Sequence, residues 1–304
     1  MSASVAANGN TLAYDSFGDE ASETILLIAG LGTQMIRWTD PFCAELAARG
    51  YRVVRFDNRD TGQSTHFTEH GAMDFGTLAA ALAEGRRPDL AYTLDDMALD
   101  AVSLLDALSI RRAHVVGRSM GGMIAQIMAS EHSSRVRSLT SIMSSSGNPG
   151  LPSAAPDAMA LMVRPTPDPA LDEAGFIERT VTFAQRIAGS SYPLDEEAHR
   201  TLIGAELRRG YVRGGFGRQL AAIALSGDRR TRLSVIRVPT LVVHGTDDAL
   251  FPLACGEDTA ASIPGAEWLP IQGMGHDLPP PLYRTIADAI ERTARRSDIA
   301  ALGE

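Results

Sequence analysis

The stretch "AHVVGRSMGGMIA" (residues 113–125) decides how the rest of the chain is read. An apolar run stops at Gly117, one hydroxyl follows at Ser119, and Gly121 and Gly122 lead into small and apolar residues. The run predicts a buried strand and the residues after Met120 a helix, so Ser119 falls on the turn between them. Such a turn is crowded. Gly117 and Gly121 remove side chains that would collide there, and Gly122 allows close helix–sheet packing. In this context G-x-S-x-G exposes the serine Oγ on a strained strand-to-helix elbow, where it can serve as a nucleophile. The plainer reading is a structural serine in a Gly-rich turn; the strand before and the apolar helix after favour the nucleophile.

Working outward, similar apolar runs recur at 24–30, 51–57, 113–117, 138–143, 239–245 and 266–271. Near-continuous apolar runs of this length suit strands buried on both faces, hence a mostly parallel sheet. Residues 6–18, "AANGNTLAYDSFG", differ: Asn-Gly followed by alternation predicts a hairpin and an antiparallel edge. Between the runs, 93–110 places Leu94, Met97, Ala98, Ala101, Leu104, Leu105 and Leu108 on one helical face. Thr93 with Asp96 three residues on resembles a capping box. A last helix carries Leu282, Ile286, Ala289 and Ile290. Strands alternating with helices predict an α/β domain. The rhythm breaks at 148–236, which opens proline-rich and then gives helical patterns near 171–188, 196–210 and 215–226. We read 1–147 with 237–304 as one core domain and 148–236 as a helical cap. The loop 61–92 is long enough to suggest a lid or another functional role.

Composition narrows the chemistry. The 304 residues are 44% hydrophobic and 21% charged, as in an ordinary globular protein, with a net charge of −9 that disfavours nucleic acid or an anionic membrane as partner. No stretch approaches the roughly 18 apolar residues of a membrane span. The N-terminus shows neither a basic start nor an apolar core, which predicts no secretion signal. Only Cys43 and Cys255 occur, without metal-like spacing, consistent with free thiols and a cytoplasmic location. All 28 basic residues are arginines. The absence of lysine excludes an internal Schiff base, a P-loop lysine and a Ser-Lys pair.

A serine nucleophile needs a base, and the base needs an orienting acid. Of seven histidines, His276 in "IQGMGHDLP" follows the last predicted strand in a glycine-rich loop that can lean over the sheet edge. His244 lies in or at the end of an apolar strand and reads as core; His114 begins the nucleophile's own strand, at the wrong end. His66, His70, His132 and His199 have no supporting neighbours. For the acid, "VVHGTDDALFP" offers Asp247 and Asp248, which spacing does not separate, while Asp277 reads as a solvated loop residue. The order Ser…Asp…His suits this architecture. The backbone N–H of Met120, at a helix start, and that of Leu31, between two glycines in "AGLGTQ", are the expected oxyanion donors.

With these residues in hand, the chain resembles the α/β-hydrolase superfamily over essentially its whole length. "FDNRDTGQST" resembles its D-x-R-G-x-G-x-S turn, with Asp60 in place of the usual glycine, and "GMGH" resembles its histidine loop. "HGTDDALFP" is similar to its H-G-x-x-D-x-x-x-P acid loop, which implies Asp248. Ala29 stands where many members carry the histidine of H-G-x-G. "DNRDTGQST", "GRSMGGMIAQ" and "GMGHDLP" are most similar to the aclacinomycin methylesterase-like group of serine esterases. The resemblance implies a mostly parallel sheet flanked by helices, with a helical cap inserted before the acid-bearing strand loop.

The leading expectation is a serine carboxylic ester hydrolase acting on small to medium apolar esters, with no cofactor or metal. A carbon–carbon bond hydrolase or a cofactor-free perhydrolase would use the same three residues. A different class, a non-catalytic ligand-binding protein, is disfavoured by the complete set. Epoxide hydrolases and haloalkane dehalogenases need a carboxylate where Ser119 sits. Met159, Leu161, Met162, Phe176, Phe183 and Phe216 are candidates for an apolar pocket, although helical spacing equally fits plain packing. Arg86 and Arg87 suit a solvated loop better than an anion site. Arg118 admits two readings, an ion pair behind the sheet or a bias toward anionic substrates. The oligomeric state is not legible.

Overall fold

The computed structural model describes residues 2–301 except 72–75, 77–79, 82, 83 and 87. Strands β1 (Ala3–Ala7) and β2 (Asn10–Phe17) form the expected hairpin, turning on Asn8 and Gly9 at φ 50° and 74°. Both angles are positive, as a type I′ turn requires and Asn-Gly supplies. β3 (Thr24–Ile28), β4 (Arg52–Phe56), β5 (Ala113–Arg118), β6 (Val136–Ile142), β7 (Thr240–Gly245) and β8 (Glu267–Ile271) complete an eight-stranded sheet ordered β1-β2-β4-β3-β5-β6-β7-β8. β2 pairs antiparallel with β1 and β4, and the remaining pairs are parallel.

Successive side chains on a strand point to opposite faces, and here both faces are covered. Leu26 and Ile28 share one apolar cluster with α2 (Leu94–Ala107) and α3 (Met120–Glu131). Ile25 and Leu27 share the other with α1 (Asp40–Ala47) and α10 (Tyr283–Ala301). Each fully buried aliphatic side chain contributes about 1.5–3 kcal/mol, so the central strands anchor the fold. β8 departs from the expectation of a strand buried on both faces. It is half-exposed along most of its length because it is the sheet's edge, where Pro270 is tolerated. The predicted capping box is present: Thr93 Oγ1 accepts from Asp96 N at 3.2 Å, and Asp96 Oδ2 accepts from Thr93 N at 2.8 Å. No helix among the described residues is long and apolar enough to cross a membrane.

Between β6 and β7 the described residues are helical, with no strand. α5 (Glu173–Ile187), α6 (Glu196–Arg209) and α7 (Gly215–Ser226) lie where periodicity predicts them. Two helices were not expected, the short α8 (Arg230–Leu233) and α4 (Pro156–Val163). α4 begins at a proline, whose missing N–H costs nothing in a first turn. α9 (Leu253–Ser262) follows β7.

α7 is tied to the core by a buried ion pair. Arg218 donates from Nε and Nη2 to the two carboxylate oxygens of Asp60, both at 2.7 Å. Tyr92 OH and Phe67 N also donate to Asp60, at 2.6 and 2.8 Å. Asp60 has φ 65°, which explains how an aspartate occupies a turn position that resembles a glycine site. Burial raises the Asp60 pKa, but the bonds from Arg218, Tyr92 and Phe67 outweigh it and hold the carboxyl below its ordinary value. A depressed folded-state pKa gives stability that is complete above the unfolded value, about 4. That stability disappears as the pH falls through the folded value. Removing one partner of such a pair is expected to cost about 3–5 kcal/mol. Arg218→Met should therefore destabilise the protein by that amount at pH 7 in urea or thermal denaturation. The double variant Asp60→Gly, Arg218→Met should recover much of the loss.

Candidate active site

The sheet brings the predicted site residues to the C-terminal ends of β5, β7 and β8. β5 ends at Arg118, α3 begins at Met120, and Ser119 alone makes the turn with φ 54° and ψ −123°. A Cβ on Gly117 would lie 2.0 Å from the Gly121 carbonyl oxygen, and one on Gly121 would lie 2.2 Å from the Ile28 oxygen. Real side chains do not fit there, so the two glycines set the elbow. Ser119 N donates to Ile142 O at 2.9 Å, and Ser144 Oγ donates to Ser119 O at 2.8 Å.

Ser119 Oγ lies 3.0 Å from His276 Nε2, and His276 Nδ1 lies 2.7 Å from Asp248 Oδ2. The two aspartates left open by spacing point in different directions. Asp248 is buried, and its other oxygen accepts from Leu250 N and Phe251 N, each at 2.8 Å. Asp247 instead accepts from Thr246 Oγ1 at 2.9 Å and Ser190 N at 3.2 Å. Burial pushes the Asp248 pKa up, but its interactions with His276, which also donates to it, and with His244 outweigh it, and the carboxyl stays below its usual range. An anionic carboxylate on Nδ1–H leaves Nε2 free to accept the serine proton.

The other histidines separate clearly. His244 is buried, and its Nε2 sits 2.7 Å from the Phe251 carbonyl, so Nε2 carries the proton and holds the acid loop. Burial, above all, keeps this ring neutral. His114 lies at the opposite end of β5, 2.9 Å from Ser138 Oγ. His199 corrects the sequence reading. It has neighbours, with its Nε2 3.3 Å from Arg37 Nη1, and it lines the cavity above Ser119. Asp277 also differs from expectation, since it is half-buried and lines that cavity. Arg86 pairs with Glu84 at the surface, whereas Arg87 and parts of the suggested 61–92 lid lie outside the described residues.

The Leu31 and Met120 N–H groups have no acceptor among the described residues, as open donors require. The loop carrying Leu31 is held from several sides despite Ala29. Asn58 Nδ2 donates to Ala29 O at 3.1 Å, and Gln219 Oε1 accepts from Gly32 N at 2.8 Å. Gln34 Nε2 donates to Glu206 O at 2.9 Å and Gly210 O at 2.8 Å. Sequence reasoning missed Gln219 and Gln34. Gln219 lies 187 residues from Gly32, and no local pattern marks it.

Ser119 and His276 open into a cavity of about 450 Å³. Met159, Met162, Phe176, Phe183 and Phe216 all line it. Leu161 is not among the lining residues; its carbonyl accepts from Arg179. Among the described residues, no cluster of three or more His, Cys, Asp or Glu is placed to hold a metal ion.

Comparison with known proteins places this geometry. Residues 23–174 match the family model described as the alpha/beta hydrolase fold. The chain is 30% identical to the rhodomycin D methylesterases DauP of Streptomyces sp. strain C5 and DnrP of Streptomyces peucetius. Each match spans 300 residues and covers 92% of this chain and 93% of the relative. Among solved structures, the enol-lactonase from Burkholderia xenovorans LB400 superposes with a TM-score of 0.66 at 24% identity, covering 97% of this chain and 99% of that one, a likeness of fold. On this sequence match and this fold, the chain is a hydrolase that belongs to the α/β-hydrolase family, in its methylesterase group.

Proposed function

We propose that this protein is a serine carboxylic ester hydrolase acting on small to medium apolar esters, with Ser119 as nucleophile, His276 as general base and acid, and Asp248 as the orienting carboxylate. The observation that carries this reading is the continuous chain from Asp248 through His276 to Ser119 Oγ, at 2.7 and 3.0 Å, ending at a cavity walled by apolar side chains.

Ser119 Oγ attacks the ester carbonyl as its proton passes to His276 Nε2. The charge that develops on the carbonyl oxygen is met by the Leu31 and Met120 N–H groups, each such donor being worth about 3 kcal/mol of barrier. Met120 stands at the first turn of α3, whose dipole favours negative charge there. Collapse of the tetrahedral intermediate expels the alcohol, which takes the proton from His276. Water then attacks the acyl-enzyme, gives its proton to His276, and the acid leaves as Ser119 recovers that proton. These steps need no cofactor.

In this reading 1–147 and 237–304 form the core domain and 148–236 the cap. The cap would supply Met159, Met162, Phe176, Phe183 and Phe216 as the pocket's apolar wall. It would also support the reacting groups, since His276 N donates to Ile187 O at the end of α5 at 2.8 Å and Gly32 N donates to Gln219 on α7.

Wild-type protein should hydrolyse p-nitrophenyl esters best at short to medium acyl chains, and Ser119→Ala should lower kcat by about 10⁴-fold or more. Undiminished turnover by Ser119→Ala overturns the nucleophile, and no turnover by folded wild type overturns the esterase reading in favour of a ligand-binding protein. Asp248→Asn should cost about 10³–10⁴-fold in kcat through the wrong imidazole tautomer, whereas Asp247→Asn should cost less than about tenfold. Gln219→Leu should lower kcat about tenfold with little change in KM, because the loop it holds contacts charge that exists only in the transition state.

A further inference from the structure

The cavity has two unlike ends. Mostly apolar side chains line one, with Arg179 against Phe183 among them, and Arg37, Arg118, His199, Glu206 and Asp277 gather at the other. Two of the charges at the polar end pair with each other. Arg37 donates from Nε and Nη2 to both carboxylate oxygens of Glu206, at 2.8 and 2.6 Å, so each satisfies the other. His199 is neutral at pH 7, because burial and then the Arg37 charge hold its pKa down to about 4.

Arg118 is left over. Only 8% of it is exposed, yet among the described residues no carboxylate oxygen lies within the 4.0 Å of an ion pair. Its one hydrogen bond is long, 3.4 Å from Nη1 to the Arg37 carbonyl, while a guanidinium offers about five N–H donors. The fully buried Trp38 ring lies beneath it, 5.5 Å from Cζ to the ring centroid. Burial lowers the Arg118 pKa and outweighs the opposing pull of the Asp277 and Glu206 charges, neither of which reaches ion-pair distance. The ion pair behind the sheet that the sequence allowed is absent among the described residues. What remains is a rigid, desolvated, planar donor fork one residue from Ser119, opening into the cavity that Ser119 lines.

We propose that Arg118 binds a carboxylate carried by the ester substrate, so that the physiological substrates are half-esters retaining one free carboxylate. This rests on the esterase reading above and narrows its substrate class. A carboxylate matches the guanidinium fork with two parallel N–H···O bonds and removes the cost of an unpaired buried charge. Asp277 lines the same end and acts on Arg118 from beyond ion-pair distance, so it weakens the site without filling it.

The test compares monomethyl succinate, glutarate and adipate with their uncharged carboxamide isosteres, methyl succinamate, glutaramate and adipamate, followed by proton release at pH 7. In wild type at least one acid should exceed its amide in kcat/KM by about tenfold or more. Arg118→Gln should bring that ratio to one or below, chiefly through KM. Arg118→Lys should keep part of it, retaining charge without the fork, and Asp277→Asn should raise it. Should Arg118→Gln fail to fold by circular dichroism, wild type alone still decides. Free dicarboxylates should inhibit p-nitrophenyl acetate hydrolysis more strongly than monocarboxylates of equal length. Acid-to-amide ratios at or below one for every length, with p-nitrophenyl acetate still turned over, overturn this inference and leave the esterase standing. Failure to turn over any of these esters overturns the esterase reading and this inference with it.

Discussion

At the end of β5 the chain passes from strand to helix with Gly117 pressed against the Gly121 carbonyl, so closely that an added Cβ would lie 2.0 Å from its oxygen. Everything in the candidate site is measured from that contact. It forces Ser119 to φ 54°, lifts its Oγ off the sheet, and leaves the Met120 N–H as the first donor of α3. The position is held because β5 lies between β3 and β6, all buried on both faces, and because Ser119 N is bonded to Ile142 O at 2.9 Å. A strained residue persists only where its surroundings over-determine it, and a central parallel strand offers the most rigid surroundings in the molecule.

The helices between β6 and β7 are bonded to the reacting groups as well as to the core. The His276 N–H ends on α5, the Gly32 N–H on α7, and Gln34 on the end of α6. These bonds join loops that would otherwise have only their own short turns to hold them. Displacing these helices would move the histidine loop and the Leu31 loop together. The Asp60–Arg218 pair works against that displacement, since opening it would leave both charges without partners.

Buried carboxylates mark the lines of force. Asp57 is fully buried and accepts from Met35 N, Gln63 N and Arg209, yet desolvation wins and its pKa rises. Asp60 and Asp248 are driven the other way by cationic or histidine partners. At the cavity's polar end Arg118 is buried with no carboxylate within ion-pair distance among the described residues. A group that structural pairing does not consume is the natural one to meet a ligand.

Much of this was legible in the sequence. The elbow from 117 to 121, the Asn-Gly hairpin, the Thr93–Asp96 cap and the alternation of buried strands with helices are local, because each follows from sterics or hydrogen bonds within a few residues. The position of His276 after the last strand was legible for the same reason, as was the pairing of Asp248 once the loop's resemblance was weighed. β8 was misjudged because its composition cannot reveal that no strand lies beyond it. The sequence leaves His199 without neighbours and Asp277 as a solvated loop residue because Arg37, beside His199, and the cavity that Asp277 lines are assembled from segments distant in sequence. The strands and helices, the strained serine turn and the residue types of the candidate site follow from short-range geometry that the residues carry locally. Which helix ends hold the loops, and that Arg118 is buried with no carboxylate within ion-pair distance, emerge only from the folded chain. Those depend on contacts between residues far apart along the chain, which no local pattern encodes.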